Sequence, residues 1–154
     1  MLDTNVYSRP LDDFNDKKVQ LEAESSKKII SLANSKTISI ITSEILYYEI
    51  SLIRDKDKRE IIFHIAETIQ ENVVFIDKKI ENLADNIQVF IKDYADCLHI
   101  ASAGLSKCSY MVTCDKELLR KAMRIERFLF NLGITLHIVD PIKIVKILGE
   151  NYGI

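Results

Sequence analysis

Short apolar runs rich in β-branched residues alternate with longer helical patterns along the chain. The short runs predict strands at residues 1–4, 37–42, 73–76, 110–113 and 136–139. The intervening stretches predict helices at 17–34, 44–54, 58–71, 78–90, 94–105 and 116–132, and Pro141 begins a closing helix. Because strands separated by helices form parallel sheets, we predict an α/β fold. Its central, mostly parallel sheet has about five strands, with helices on both faces.

The length and composition fit one domain. The chain has 154 residues, of which 47% are apolar and 29% charged, and it contains only four Gly and two Pro. We therefore interpret residues 1–154 as a single domain. No apolar run is long enough to span a bilayer, and the first residues lack the basic and apolar regions of a signal peptide. We expect a cytoplasmic protein with no membrane association.

Charge and cysteine content exclude several classes of protein. The 21 Lys and Arg residues against 23 Asp and Glu residues give a net charge of −2, which argues against a protein that coats nucleic acid by charge alone. The three cysteines form no C-x-x-C pair, and the three histidines are scattered. Neither a disulfide framework nor a Cys/His zinc site is expected, and the cysteines are predicted to be reduced and buried.

Four acidic residues are predicted to meet at one edge of the sheet. Asp3 follows the first strand and Asp115 follows the fourth, and ligands of open α/β sheets bind beyond the carboxyl ends of the strands. Glu49 and Asp96 lie in helices next to the same edge. Taken singly, each acid fits a helix cap, a turn or a solvated side chain equally well. Together, their carboxylates would repel one another unless a cation lay among them, and oxygen ligands favour Mg²⁺ or Mn²⁺.

Four segments around these acids resemble, in order, the acidic motifs of the PIN-domain family. They are LDTNV at 2–6, SEILYYEI at 43–50, DCLHIASA at 96–103 and VTCD at 112–115. PIN domains are metal-dependent nucleases, mostly ribonucleases, and include VapC-type toxins of toxin–antitoxin pairs. The resemblance implies a PIN-like fold whose catalytic and metal-binding residues are Asp3, Glu49, Asp96 and Asp115. Asn5 and Thr113 match the polar residues that support the first and last acids.

Two of these positions have a nearby acidic competitor. Asp93 precedes Asp96 by one helical turn, and Asp96 is preferred because the Leu-His-Ile-Ala run follows it, which leaves Asp93 as the helix cap. Glu44 competes with Glu49. Glu44 opens its helix, where the helix dipole favours an acid whatever the function, so Glu49 is preferred.

The first strand departs from the family pattern, because only Met1 and Leu2 precede Asp3. So short a strand pairs poorly at the centre of a sheet. Either the strand begins upstream, or the core is thinner and Asp3 is less firmly held. His99, three residues after Asp96, is interpreted as a helix-face residue packed beside the site rather than as a ligand.

Cationic residues near the acids are candidates for substrate binding. Helix 116–132 carries Lys116, Arg120 and Arg124 in one stripe that begins beside Asp115, and such a stripe would grip a phosphate backbone. The alternative is a solvated face paired with the acids of the same helix. Arg9, in the loop after the first acid, is a further candidate.

The resemblance implies a Mg²⁺- or Mn²⁺-dependent endoribonuclease that hydrolyses phosphodiester bonds of single-stranded RNA. It leaves open whether the enzyme is a toxin with an antitoxin partner or a stand-alone RNA-processing enzyme, and whether two copies form a homodimer. An alternative from another class is a catalytically inactive PIN-like module that binds RNA or protein. An unrelated α/β phosphohydrolase fits less well, because no lysine stands where such an enzyme needs one.

Overall fold

The computed structural model describes residues 1–153. Within them the helices are α1 (Thr4–Ser8), α2 (Lys17–Asn34), α3 (Glu44–Ser51), α4 (Lys56–Ile69), α5 (Lys78–Ile87), α6 (Tyr94–Leu105), α7 (Lys116–Asn131) and α8 (Pro141–Tyr152), with a short 3₁₀ helix at Arg9–Leu11. The strands are β1 (Ile40–Ser43), β2 (Gln70–Val74), β3 (Tyr110–Val112) and β4 (His137–Val139). The predicted α/β class is confirmed, and α2 and α6 have the predicted bounds.

Aspartate side chains fix where most of the helices begin. Each accepts a hydrogen bond from a backbone N–H in the first turn and so satisfies a donor that the helix itself cannot pair. These caps are Asp3, Asp16, Asp55, Asp77, Asp93, Asp115 and Asp140. Ser43 precedes α3 as predicted, but its hydroxyl makes no capping bond. An aspartate after a strand therefore has a structural role here whether or not it also serves chemistry.

The prediction of a five-stranded sheet is wrong. The described strands form two parallel two-stranded sheets, β1 with β2 and β3 with β4. The first segment contributes only one parallel bridge, from Leu2 to Val112, and none to β1. The backbone of this segment bonds to β3: the N–H of Asp3 donates to the carbonyl oxygen of Val112 at 2.9 Å, and the N–H of Val112 donates to that of Met1 at 3.0 Å. The central position of the sheet is therefore only partly filled.

A groove of about 360 Å³ lies where the two sheets are not joined. Residues 37–41 line one side of it and residues 107–110 the other. The α-ammonium of Met1 lies beside it, donates a hydrogen bond to the carbonyl oxygen of Tyr110 at 2.9 Å, and is buried. Burial lowers the pKa of this amine below its ordinary value.

The core has two apolar clusters. One surrounds α5, α6 and α7, and the other joins the N-terminal segment to α2, α3, α4 and α8. The three cysteines are free and buried, as predicted. Among the described helices, none combines the length and apolar character needed to cross a membrane.

Candidate active site

Asp3 is held rigidly at the end of the N-terminal segment. Its side chain is almost fully buried, with the whole residue 4% exposed. Oδ1 accepts a hydrogen bond from the backbone N–H of Thr4 at 2.7 Å, and Oδ2 accepts from Asn5 Nδ2 at 2.9 Å and from Thr113 Oγ1 at 2.7 Å. Although the segment before it is short, three hydrogen bonds fix this carboxylate.

Asn5 and Thr113 join the start of α1 to the end of β3. Asn5 Oδ1 accepts from the backbone N–H of Cys114 at 2.9 Å, and Asn5 Nδ2 lies 3.3 Å from Thr113 Oγ1. Thr113 Oγ1 in turn accepts from the backbone N–H of Asp115 at 3.1 Å. The structure thus brings both predicted supporting residues together with Asp3 and with the loop that carries Asp115.

The third and fourth predicted acids lie at the starts of α6 and α7. Asp93 caps α6, and its Oδ1 accepts from the backbone N–H groups of Ala95 at 2.9 Å and Asp96 at 3.4 Å. Asp96 itself lies in the first turn of that helix. Asp115 caps α7 by accepting from the backbone N–H of Leu118 at 2.9 Å, so this acid has a structural role as well.

Glu49 lies on the face of α3 that meets α1 and α6. Its Oε1 accepts a hydrogen bond from Thr4 Oγ1 at 2.8 Å and also contacts His99 Nε2. Glu44, at the other end of α3, accepts from the backbone N–H of Ile76. Of these two competing glutamates, Glu49 is the one that contacts the Asp3 region.

The four predicted acids line one open cleft of about 390 Å³. They come from four separate parts of the chain, and no two are closer than nineteen positions in the sequence. The remaining lining residues are Thr4, Asn5, Ser8, Ile53, Lys58 and Asp93. The fold therefore gathers the four carboxylates at one place, where the sequence placed them.

Burial and mutual repulsion raise the proton affinity of this cleft. Burial, together with the negative charges of Asp3, Asp93 and Asp115, raises the pKa of Asp96 to about 7. Burial also raises the pKa of Asp3, against the opposing effects of a nearby histidine and its own hydrogen bonds. When a metal cation binds to carboxylates whose pKa is raised, they release their protons.

His99 lies buried beside the cleft, in contact with two of its acids, and the sequence does not predict it as a ligand. It is fully buried; Nε2 contacts Glu49 Oε1 and lies 3.9 Å from Asp3 Oδ1. Burial would lower the pKa of His99, but the hydrogen bond to Glu49 and the charge of Asp3 raise it overall. Burial alone would likewise raise the pKa of Glu49, and His99 lowers it overall. The available signal was the spacing from Asp96, because residues three apart share a helix face.

The donor atoms present fit a hard divalent cation. One atom each from Asp3, Glu49 and His99 lies within 4.8 Å of the others, close enough to hold one ion. Carboxylate oxygens suit Mg²⁺ and Mn²⁺, and an imidazole nitrogen is also a ligand for transition metals. Asp96 and Asp115 add two carboxylates in the same cleft.

The predicted cationic stripe lies outside the cleft on the solvent side of α7. Its three members are exposed and form no ion pair within residues 1–153; they are Lys116, Arg120 and Arg124. The acids proposed as their partners are engaged elsewhere. Glu117 Oε1 accepts from Lys121 Nζ at 2.9 Å, and Glu126 accepts from the backbone N–H of Ile138 at 2.7 Å. The stripe is therefore available to bind phosphate groups.

Arg9 is engaged in ion pairs. Its Nη1 donates to Asp12 Oδ2 at 3.0 Å, and its Nε lies 3.0 Å from Glu22 Oε2. The side chain of Glu22 is only 3% exposed, so this pair anchors the loop to α2. Because both contacts engage its guanidinium group, Arg9 is less available to bind a substrate directly.

A family model described as PIN domain matches residues 1–123. Comparisons with curated proteins and with solved structures gave no significant match. The matched region contains all four cleft acids and ends within α7.

Proposed function

The chain belongs to the PIN-domain family, whose members are generally metal-dependent nucleases, and we propose that it is a Mg²⁺- or Mn²⁺-dependent endoribonuclease acting on single-stranded RNA. One observation carries the proposal: Asp3, Glu49, Asp96 and Asp115 line the same cleft. Like charges so close together in a partly buried site are costly unless a cation or a function maintains them.

In this proposal, Asp3, Asp96 and Asp115 hold the metal, and Glu49 completes the ligand set. When bound, the metal supplies Lewis-acid chemistry that activates water and neutralises charge on the phosphate. Thr113 and Asn5 keep the carboxylate of Asp3 oriented through their hydrogen bonds.

Glu49 and His99 form a hydrogen-bonded pair beside Asp3. We assign His99 the role of orienting Glu49, since its buried ring has little freedom to move. The exposed stripe of Lys116, Arg120 and Arg124 guides the RNA strand toward the cleft, because Lys116 directly follows the acid that begins α7.

A toxin role with an antitoxin partner remains a narrower proposal that rests on the family resemblance. So does the pairing of two copies of the chain, whereas a location in the cytoplasm is proposed from the composition of the sequence. The gene for a small antitoxin next to the gene for this chain is the observation that would support the toxin role.

The direct test is to incubate the purified protein with labelled single-stranded RNA and Mn²⁺ or Mg²⁺, and to resolve the products on a gel. We expect internal cleavage that needs the metal and stops when a chelator is added, because the carboxylates alone supply no Lewis acid. A mixture of RNA sequences guards against narrow sequence preference. Cleavage that continues in excess chelator would contradict the proposed mechanism.

A further inference from the structure

Lys58 is the cation of the acid cleft among the residues that the structure describes. It lies in the first turn of α4, and its side chain is 31% exposed. Five carboxylates line the same cleft, yet within residues 1–153 Lys58 forms an ion pair with none of them. A cation that faces an acidic site without being neutralised by it is available to a substrate.

Asp12 holds Lys58 at the side of the cleft. Lys58 Nζ donates to Asp12 Oδ1 at 3.2 Å, and the other carboxylate oxygen of Asp12 accepts from Arg9 Nη1 at 3.0 Å. Arg9 is in turn anchored by Glu22, whose side chain is buried in α2. The position of the ammonium group is thus set by a chain of ion pairs that ends in the protein interior.

The charges along this chain alternate and cancel. Lys58 and Arg9 are cationic, and Asp12 and Glu22 are anionic. The ammonium group of Lys58 has three N–H donors, and the hydrogen bond to Asp12 Oδ1 uses one of them. A phosphate oxygen can therefore bind the same ammonium group without displacing Asp12.

We propose that Lys58 binds a phosphate oxygen of the RNA strand inside the cleft. The inference rests on the proposed nuclease function and adds to it a specific contact with the phosphate backbone. An ammonium group on a flexible stem is well suited to bind phosphate as a point charge. The cationic stripe on α7 has a different role, because it lies outside the cleft and contacts the RNA strand before that strand enters the cleft.

The test measures RNA binding without cleavage. Fluorescence anisotropy with a labelled poly(U) oligonucleotide, over a series of salt concentrations, compares Asp96→Asn with Asp96→Asn/Lys58→Gln. For single strands, each lost phosphate contact reduces the slope of log K against log salt by about 0.7. We expect that reduction, together with about 5- to 10-fold weaker binding at low salt. Lys58→Arg in the same background is expected to restore the slope, since it retains the charge.

Lys56→Gln is the matched control. Lys56 lies on the same helix, is 74% exposed, and faces Glu60 rather than the cleft. We expect it to leave the slope unchanged. Equal slopes for the Lys58→Gln and Lys56→Gln variants would overturn the assignment of Lys58 alone. If the Asp96→Asn parent does not bind RNA, or cleaves it at the wild-type rate in the presence of metal, the nuclease proposal fails and this inference fails with it.

Discussion

Asp96→Asn is expected to lower the rate of RNA cleavage by on the order of 10²–10³-fold while leaving the protein folded. Asn matches Asp in size, so the first turn of α6 keeps its packing, but the variant loses a negative charge from the cleft. That charge is a ligand in the proposed site, and an amide oxygen is a weaker ligand for a hard cation. Single-turnover cleavage of labelled RNA in Mn²⁺, with circular dichroism as a check on folding, measures the effect.

Asp93→Asn is the matched control for this experiment. Asp93 lies one helical turn before Asp96 and also lines the cleft, but its Oδ1 is occupied by two backbone N–H groups of α6. Asn is as good an N-cap as Asp, so the helix should persist. We expect the cleavage rate to fall by less than about tenfold, because this variant changes the local charge but removes no metal ligand. If Asp93→Asn is the more damaging change, the third acid of the site has been assigned to the wrong residue.

The meeting of the four acids in one cleft was predictable from the sequence, whereas the pairing of the strands was not. Each acid could be placed because it follows a strand or lies in a strongly patterned helix, and the order of the motifs restricts the choice between neighbours. Asp96 and Glu49 are preferred over Asp93 and Glu44 on local grounds, and their role as ligands stays a prediction. In the structure, Asp93 accepts from backbone N–H groups of α6, and Glu44 accepts from the backbone N–H of Ile76. Patterns of this kind are local, so a single sequence carries them.

Features that depend on contacts between distant residues were not predictable in the same way. Whether Leu2 pairs with one neighbouring strand or with two depends on the tertiary arrangement of those strands. Lys58 and Asp12 lie 46 positions apart, and no local pattern indicates that they meet. The contact of His99 with Glu49 spans 50 positions, although the helical spacing from Asp96 was a usable signal.

The metal-free protein is expected to lose stability as the pH rises from about 4 to about 7. The pKa of Asp96 is raised from its ordinary value of 3.8 to about 7, so the folded state binds more protons than the unfolded state between these limits. Stability then falls with increasing pH, because deprotonation is more costly in the folded cleft. Asp3 acts in the same direction, since burial raises its pKa too.

Asp96→Asn is expected to remove the largest part of this dependence of stability on pH. Because the Asp96 side chain is only partly buried, solvent screening weakens its effect on stability. We expect Asp96→Asn to raise the free energy of unfolding at pH 7.5 by about 2 kcal/mol, which corresponds to about 4–8 °C in the unfolding midpoint. Thermal melts of both proteins in chelator, at pH 5 and at pH 7.5, measure it. The variant should be the more stable at pH 7.5, by a smaller margin at pH 5, and the two proteins should differ little only below about pH 4, where Asp96 is protonated in both the folded and the unfolded state. Asp13→Asn, an exposed change outside the cleft, should alter neither melt.

Adding Mn²⁺ separates repulsion among the carboxylates from a general effect of the substitution. The cation should stabilise the wild-type protein at pH 7.5 and stabilise Asp96→Asn much less, since the stabilisation by a ligand of the folded state grows with the logarithm of its affinity. The order of stability of the two proteins would then reverse between chelator and Mn²⁺. If instead Asp96→Asn is the less stable protein in chelator at pH 7.5, the carboxylate stabilises the fold by its own hydrogen bonds. The cleft would then not be an acid cluster held in place for a cation.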